Sequence, residues 1–177
     1  MEKIKGFEAH KDFIRWLTVH PSLPYLISSS DDGHIKIFDY GKDFRCIKDY
    51  EQHTHYVMMT AINPRDSNTF ASACLDKTIK VFNLASNIST ANYTLKGHKN
   101  GVNCIDYFKG DKPYLASGAD MGAIKIWDYQ TKQCIKTLEG HENNVSYVLF
   151  HADLPILLST SEDGSTLIWH TNTYKLE

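Results

Sequence analysis

A pattern that recurs four times constrains the fold of this chain more than any single motif in it. An apolar–lysine–apolar triplet closed by an aromatic residue stands at Ile35-Lys36-Ile37-Phe38, Ile79-Lys80-Val81-Phe82 and Ile124-Lys125-Ile126-Trp127, with a degenerate fourth copy at Thr166-Leu167-Ile168-Trp169. The closing aromatics are 44, 45 and 42 residues apart. Each is preceded by a histidine 28 or 29 residues upstream: His10, His53, His98 and His141. Four positions after each histidine comes a branched apolar residue, Ile14, Val57, Val102 and Val145. A fixed period of this size marks one supersecondary unit that is repeated and buries its apolar surface against its neighbours. The units run approximately over residues 9–50, 51–96, 97–139 and 140–177 and form a single domain over residues 1–177.

Inside each unit apolar and polar residues alternate with period two, the signature of strands with one buried and one exposed face. In the third unit the alternation predicts strands at 102–107, 114–118, 124–129 and 134–139, separated by turn-forming stretches such as Lys109-Gly110-Asp111-Lys112-Pro113 and Asp120-Met121-Gly122. The first unit matches with 14–19, 25–29, 35–38 and 45–50. No helical period occurs, so the expectation is a row of small antiparallel sheets.

Composition removes several function classes. Lysine plus arginine number 19 against 21 acids, a formal charge of −2, whereas a general nucleic-acid binder needs a basic excess to neutralise phosphates. With 42% hydrophobic and 23% charged residues the chain is not of the disordered type. No apolar run approaches the roughly eighteen residues of a membrane span, and Met1-Glu2-Lys3-Ile4-Lys5 leads into no apolar stretch; neither a span nor a signal peptide is expected, and a cytosolic setting is. Cys46, Cys74, Cys104 and Cys134 form no C-x-x-C pair, which argues against zinc and for buried thiols.

A histidine, an aspartate and a nearby hydroxyl in several units invite a hydrolase reading. Asp32, Asp76 and Asp163 each lie six residues before the closing aromatic, with serines just upstream. A catalytic site is needed once, whereas a hydrogen-bonded clasp between strand ends and turn is needed in every unit, and buried polar groups must be paired. The structural reading is therefore adopted, with His10, Asp32, Phe38, His53, Asp76, Phe82, His98, Trp127, His141, Asp163 and Trp169 as its members. The Gly-x-Ser-x-Gly elbow, the P-loop and the dinucleotide fingerprint are absent; no enzyme and no cofactor is expected. His53-Thr54-His55 offers two metal ligands with no Cys or acid in the same local pattern. Met121 stands where the other units have aspartate, so the third unit is expected to lack one clasp.

The Gly97-His98 and Gly140-His141 dipeptides, the serine-rich strands, the turn aspartates and Trp127-Asp128 resemble the WD-repeat family. That resemblance implies an all-β fold, a WD-repeat β-propeller with four blades of four antiparallel strands, partial relative to a seven-bladed ring. Residues 3–8 look like the last strand of a preceding unit and residues 173–177 like the start of another; the expectation is a fragment, a truncated product, or a ring completed by another chain.

Within that family, Glu8-Ala9-His10-Lys11-Asp12-Phe13-Ile14-Arg15, Ser29-Ser30-Asp31-Asp32, His53-Thr54-His55-Tyr56-Val57-Met58 and Gly101-Val102-Asn103-Cys104-Ile105-Asp106-Tyr107 resemble the third to sixth repeats of the first propeller of the coatomer β′ group. The resemblance implies a cargo adaptor of the COPI vesicle coat. Its partners would be other coatomer subunits and C-terminal dilysine signals of membrane cargo, in Golgi-to-endoplasmic-reticulum and intra-Golgi transport. The chain would sit peripherally on Golgi membranes and COPI vesicles through the coat. The residues just before the turn aspartates, Asp31, Leu75, Asp120 and Glu162, are expected on one face. By the resemblance, Asp12 and Asp31 match positions that hold one lysine, Asp120 a further acidic position, and Arg15 an arginine lining the site. The group's residues for the terminal carboxylate lie mostly in repeats upstream of Met1. The alternative is a scaffold within a coat or another WD-repeat complex, without its own peptide site.

Overall fold

A computed structural model describes residues 5–177. Fifteen strands form four antiparallel sheets. The first holds β1 (Ile14–Val19), β2 (Tyr25–Ser30), β3 (Ile35–Asp39) and β4 (Arg45–Tyr50) in that spatial order. The second holds β5 (Val57–Ile62), β6 (Thr69–Cys74), β7 (Thr78–Asn83) and β8 (Tyr93–Lys96). The third holds β9 (Val102–Tyr107), β10 (Tyr114–Ala119), β11 (Ile124–Asp128) and β12 (Gln133–Leu138). The fourth has three strands, β13 (Val145–Phe150), β14 (Ile156–Ser161) and β15 (Thr166–His170).

The fourth sheet thus corrects the expectation of four strands in every blade. Its outer position is represented by one bridge, Trp169 to Leu176. Residues 5–8 form no strand, and residues 3 and 4 of the expected leading strand lie outside the described residues.

Consecutive innermost strands, β1, β5, β9 and β13, pack side by side about a common axis, and the Trp16 and Tyr147 rings, 6.0 Å apart, bring the first and fourth together. Each meander arises because period-two apolar residues bury both faces of the middle strands: β10 and β11 carry Leu115, Ala116, Ile124, Ile126 and Trp127, none more than 1% exposed. One core cluster fills the space among the second, third and fourth sheets, another the space between the first and second. Polar stitches cross the junctions: Thr18 Oγ1 donates to the Thr60 carbonyl at 2.9 Å, and the Phe150 amide donates to Asp106 at 2.8 Å. On the outer side of β1, Ile14, Leu17 and Val19 stay 47%, 55% and 64% exposed.

Two cysteines, Cys74 and Cys104, are buried, while Cys46 and Cys134 are exposed. The expectation of four buried thiols fails for the latter pair because they sit on β4 and β12, the outermost strands, which the neighbouring blades leave uncovered.

Candidate functional site

The histidines, turn aspartates and serines form clasps. In the first blade His10 Nδ1 lies 2.9 Å from Asp32 and Nε2 lies 2.7 Å from Ser28 Oγ. His53 repeats this with Asp76 at 2.7 Å and Ser72 at 2.6 Å, and His141 with Asp163 at 3.0 Å and Ser159 at 2.7 Å. Trp127 and Trp169 extend the chain by donating Nε1–H to Ser117 and Ser159, at 2.8 and 2.9 Å. Phe38 and Phe82 fill the same position without a donor, so there the clasp ends at the serine. Each aspartate also accepts backbone amides from both loops it joins: Lys11 and His34 for Asp32, Thr54 and Thr78 for Asp76, Glu142 and Ser165 for Asp163.

Burial works to raise the Asp76 carboxyl, but hydrogen bonds from His53 and Thr78 outweigh it and hold the group well below the ordinary range. A nucleophile must reach a substrate, yet Ser28, Ser72, Ser117 and Ser159 are at most 1% exposed. The fold also brings Cys74 and Asp76, which lie outside the local His53-Thr54-His55 pattern, to His53; the three ligand atoms lie within 4.8 Å of one another. Both ring nitrogens of His53 are already engaged by Asp76 and Ser72, which makes this group a clasp.

The third blade departs as Met121 implies. His98 Nε2 keeps Ser117 at 2.7 Å, but Nδ1 has no partner among the described residues. Burial, and then the nearby Lys125 charge, push the His98 pKa down to about 3.

A second set of residues lies nearer the axis. The innermost strand of every blade carries a one-residue bulge near its start, where the register skips Arg15, Met58, Asn103 and Ser146. Bulges re-aim a side chain out of the pleat. Here all four skipped residues line one cavity of about 310 Å³, together with Trp16, Met59, Tyr147 and Glu162. The sequence contains the signal: these are the residues immediately after Ile14, Val57, Val102 and Val145. Only Arg15 among them was a candidate from sequence, because the position is chemically different in every unit.

The residues before the turn partly answer to the bulge residues. Arg15 Nε donates to Asp31 at 2.6 Å and Nη2 to its other oxygen, a bidentate pair in which the Asp31 side chain is only 3% exposed. Asn103 donates to Asp120 at 2.8 Å. Glu162 accepts from Asn144 at 3.0 Å, whereas Leu75 brings no charge. Asp12 is exposed, and its carboxylate accepts the Phe13 amide at 2.8 Å. Asp12 and Asp31 both act on the Arg15 guanidinium, which lies 5.8 Å from the centre of the Phe13 ring and 5.7 Å from that of Tyr56. The geometry therefore gathers Asp12, Arg15 and Asp31 in one corner and sets Asp120 beside Asn103. Glu162 lines the same cavity as Arg15, and Asp31 and Asp120 are bonded to two of its bulge residues, Arg15 and Asn103.

The model of the family described as "WD domain, G-beta repeat" matches residues 1–39, 44–83, 89–128 and 132–170. The second match starts in the outermost strand of one sheet and ends in the third strand of the next, so repeat and sheet are offset by one strand. The chain is 54% identical over 134 residues to the probable coatomer subunit beta' of Schizosaccharomyces pombe, covering 75% of this chain and 17% of that protein. It is 57% identical over 119 residues to coatomer subunit beta'-2 of Arabidopsis thaliana, 67% of this chain and 13% of the relative. It is 56% identical over 141 residues to coatomer subunit beta' of Rattus norvegicus, 79% of this chain and 15% of the relative. The chain thus spans less than a fifth of the length of these relatives. With four matched repeats, four sheets about one axis and histidine–aspartate clasps in three of them, the chain belongs to the WD-repeat family.

Proposed function

We propose that the chain acts as part of a COPI coat subunit, with the acidic face of its blades reading C-terminal dilysine signals of membrane cargo. The observation that carries the coat assignment is identity of 54–57% to coatomer beta' subunits over two thirds or more of the chain. Its partners would be the remaining coatomer subunits, and its place the cytoplasmic side of Golgi membranes and vesicles. The exposed row Ile14, Leu17 and Val19 suits coverage by a neighbouring blade, which supports a working unit larger than these four sheets.

For the peptide, Asp12 offers an exposed carboxylate and Asp120 a half-buried one held toward the cavity by Asn103. Asp31 acts chiefly by fixing Arg15, since its carboxylate is already spanned by the guanidinium. Exposed ion pairs contribute about 0–1 kcal/mol each, so two lysines fall well short of the roughly 8 kcal/mol of micromolar binding. Packing of the lysine stem on Phe13, 74% exposed, and a terminal-carboxylate clamp would supply the remainder. Fluorescence anisotropy with a peptide ending in a dilysine signal, against one with serines in place of the lysines, tests the reading. Preference for the dilysine peptide, a two- to fivefold loss in Asp12→Asn (about 0.5–1 kcal/mol) and weakening with salt are expected. Equal affinity for both peptides refutes it.

The saturation of Asp31 by Arg15 favours a second reading, a scaffold whose blades contact other coat subunits without a peptide site. It gives no dilysine preference but incorporation of the chain into a coat complex.

A further inference from the structure

In three blades of this molecule the same corner holds a carboxylate. It receives His Nδ1–H, one amide from the loop after the histidine and one amide from the far side of the turn. The third blade keeps the receiving groups but not the acid. His98 is 7% exposed, and its Nδ1 has no partner among the described residues. The amides at the equivalent positions, Lys99 and Ala123, likewise find no acceptor there. Trp127 Nε1–H donates to Ser117 Oγ at 2.8 Å, and the serine proton then has two acceptors, His98 Nε2 at 2.7 Å and the Lys125 carbonyl at 3.5 Å. We assign it to the nearer, as in the three blades where the aspartate fixes the ring, which leaves the ring proton on Nδ1.

Met121 does not fill the corner. Its φ of 62° swings the residue outward, where it is 73% exposed, whereas in the other blades only the residue after the aspartate has positive φ. What opens instead is a pocket of about 440 Å³, lined by His98, Lys99, Met121, Ala123, Lys125 and Glu139 among others. Asp120 also borders it, but its carboxylate is engaged by Asn103.

We propose that this corner of the third blade is a carboxylate-binding site, which takes from a partner the group that Asp32, Asp76 and Asp163 supply internally. The ligand accepts from His98 Nδ1–H and the Lys99 and Ala123 amides, and the Lys99 and Lys125 ammonium groups favour its charge. A buried donor without an acceptor costs more than a paired one gains, so the site has a physical reason to accept an acid. In the empty corner the imidazole is neutral at physiological pH, its pKa being depressed by burial and by the Lys125 charge.

Acetate is the simplest probe. It is titrated into the protein against chloride at constant ionic strength, while NMR follows the His98 ring and the Lys99 and Ala123 amides. Saturable displacement of these signals at millimolar acetate is expected, with no change at Thr54 and Thr78, whose acceptor Asp76 is built in. Met121→Asp should abolish the response. Displacement no larger than with chloride means that water alone serves Nδ1 and overturns the proposal; so does a response that survives Met121→Asp. A response that appears only in Glu139→Gln shows that the chain's own glutamate occupies the corner, and likewise overturns it. N-acetylaspartate N-methylamide and N-acetylglycine in the same titration separate a side-chain carboxylate from a chain terminus, and saturable binding of either supports the site.

Discussion

Gly33, Gly122 and Gly164 occupy the same turn position in three blades, with φ of 83°, 82° and 86°. Replacing each with alanine therefore imposes one common backbone cost and three different steric ones. An L-residue in this region costs about 1–2 kcal/mol, of which the reduced entropy of the unfolded chain returns about 0.4–1. At Gly164 nothing lies within 4 Å of the added Cβ, so Gly164→Ala should cost only about 0.5–1 kcal/mol. At Gly33 the nearest atom is the His53 carbonyl oxygen at 3.4 Å, an ordinary contact, and about 1 kcal/mol is expected. At Gly122 the Cβ would stand 2.9 Å from the His141 carbonyl carbon and closer still to its oxygen. Backbone cannot rotate away as a side chain does. Moving it displaces the loop that aims His141 at Asp163, and overpacking of this kind adds about 1–3 kcal/mol, for a total near 2–4. Urea unfolding followed by the fluorescence of Trp16, Trp127 and Trp169 gives the three values by linear extrapolation. Lys77 holds the equivalent place in the second blade at φ 73°, so Lys77→Gly should run the other way and stabilise by up to about 1 kcal/mol. A Gly122→Ala cost within about 0.5 kcal/mol of that for Gly164→Ala would refute the reasoning, because it would show slack at the junction of the third and fourth blades.

Three further outcomes follow from the clasps and the thiols. Ser117→Ala strands two buried partners, His98 Nε2 and Trp127 Nε1, and should cost about 2–4 kcal/mol by urea unfolding; Ser72→Ala strands only His53 Nε2, since Phe82 has no donor, and should cost about half as much. The His98 pKa of about 3 lies below its ordinary 6.5, so on acidification the unfolded chain takes up a proton that the folded chain refuses. Its contribution is complete above pH 6.5 and is lost as the pH falls toward 3, at about 1.4 kcal/mol per pH unit; unfolding free energies measured across this window should flatten in His98→Gln. A disulfide-exchange reagent should titrate Cys46 and Cys134 in the native protein and reach Cys74 and Cys104 only on unfolding, burial having pushed both of the latter up to about 12.

The strands were legible because the same period-two alternation between turn signals recurs in every unit. The first blade's expected strands at 14–19 and 45–50 coincide with β1 and β4, and 102–107 with β9. What the alternation does not carry is which side chains a neighbouring blade covers. Cys46 and Cys134 are exposed although they share the spacing of their buried counterparts, whereas residues 173–177, read as the start of a strand, do begin to pair, at Leu176. Periodicity reports that a residue recurs; it does not report whether a neighbouring blade covers it.

The same distinction explains which part of the site could be read. A clasp has to be made in each blade from similar parts, so His10, His53, His98 and His141 announce themselves by repetition, and Met121 by breaking it. A recognition surface works the opposite way: around one axis, four equivalent positions gain specificity only by becoming chemically different. The bulge does this, placing Arg15, Met58, Asn103 and Ser146 on one cavity wall as a cation, a thioether, an amide and a hydroxyl. In sequence these four share only the residue before them, and nothing local indicates that Arg15 would close on Asp31, 16 residues away. That closure decides the electrostatics of the face. It turns the most buried of the expected lysine ligands into the support of a cation held between Phe13 and Tyr56, so the proposed reading of a basic tail rests on Asp12 and Asp120 instead.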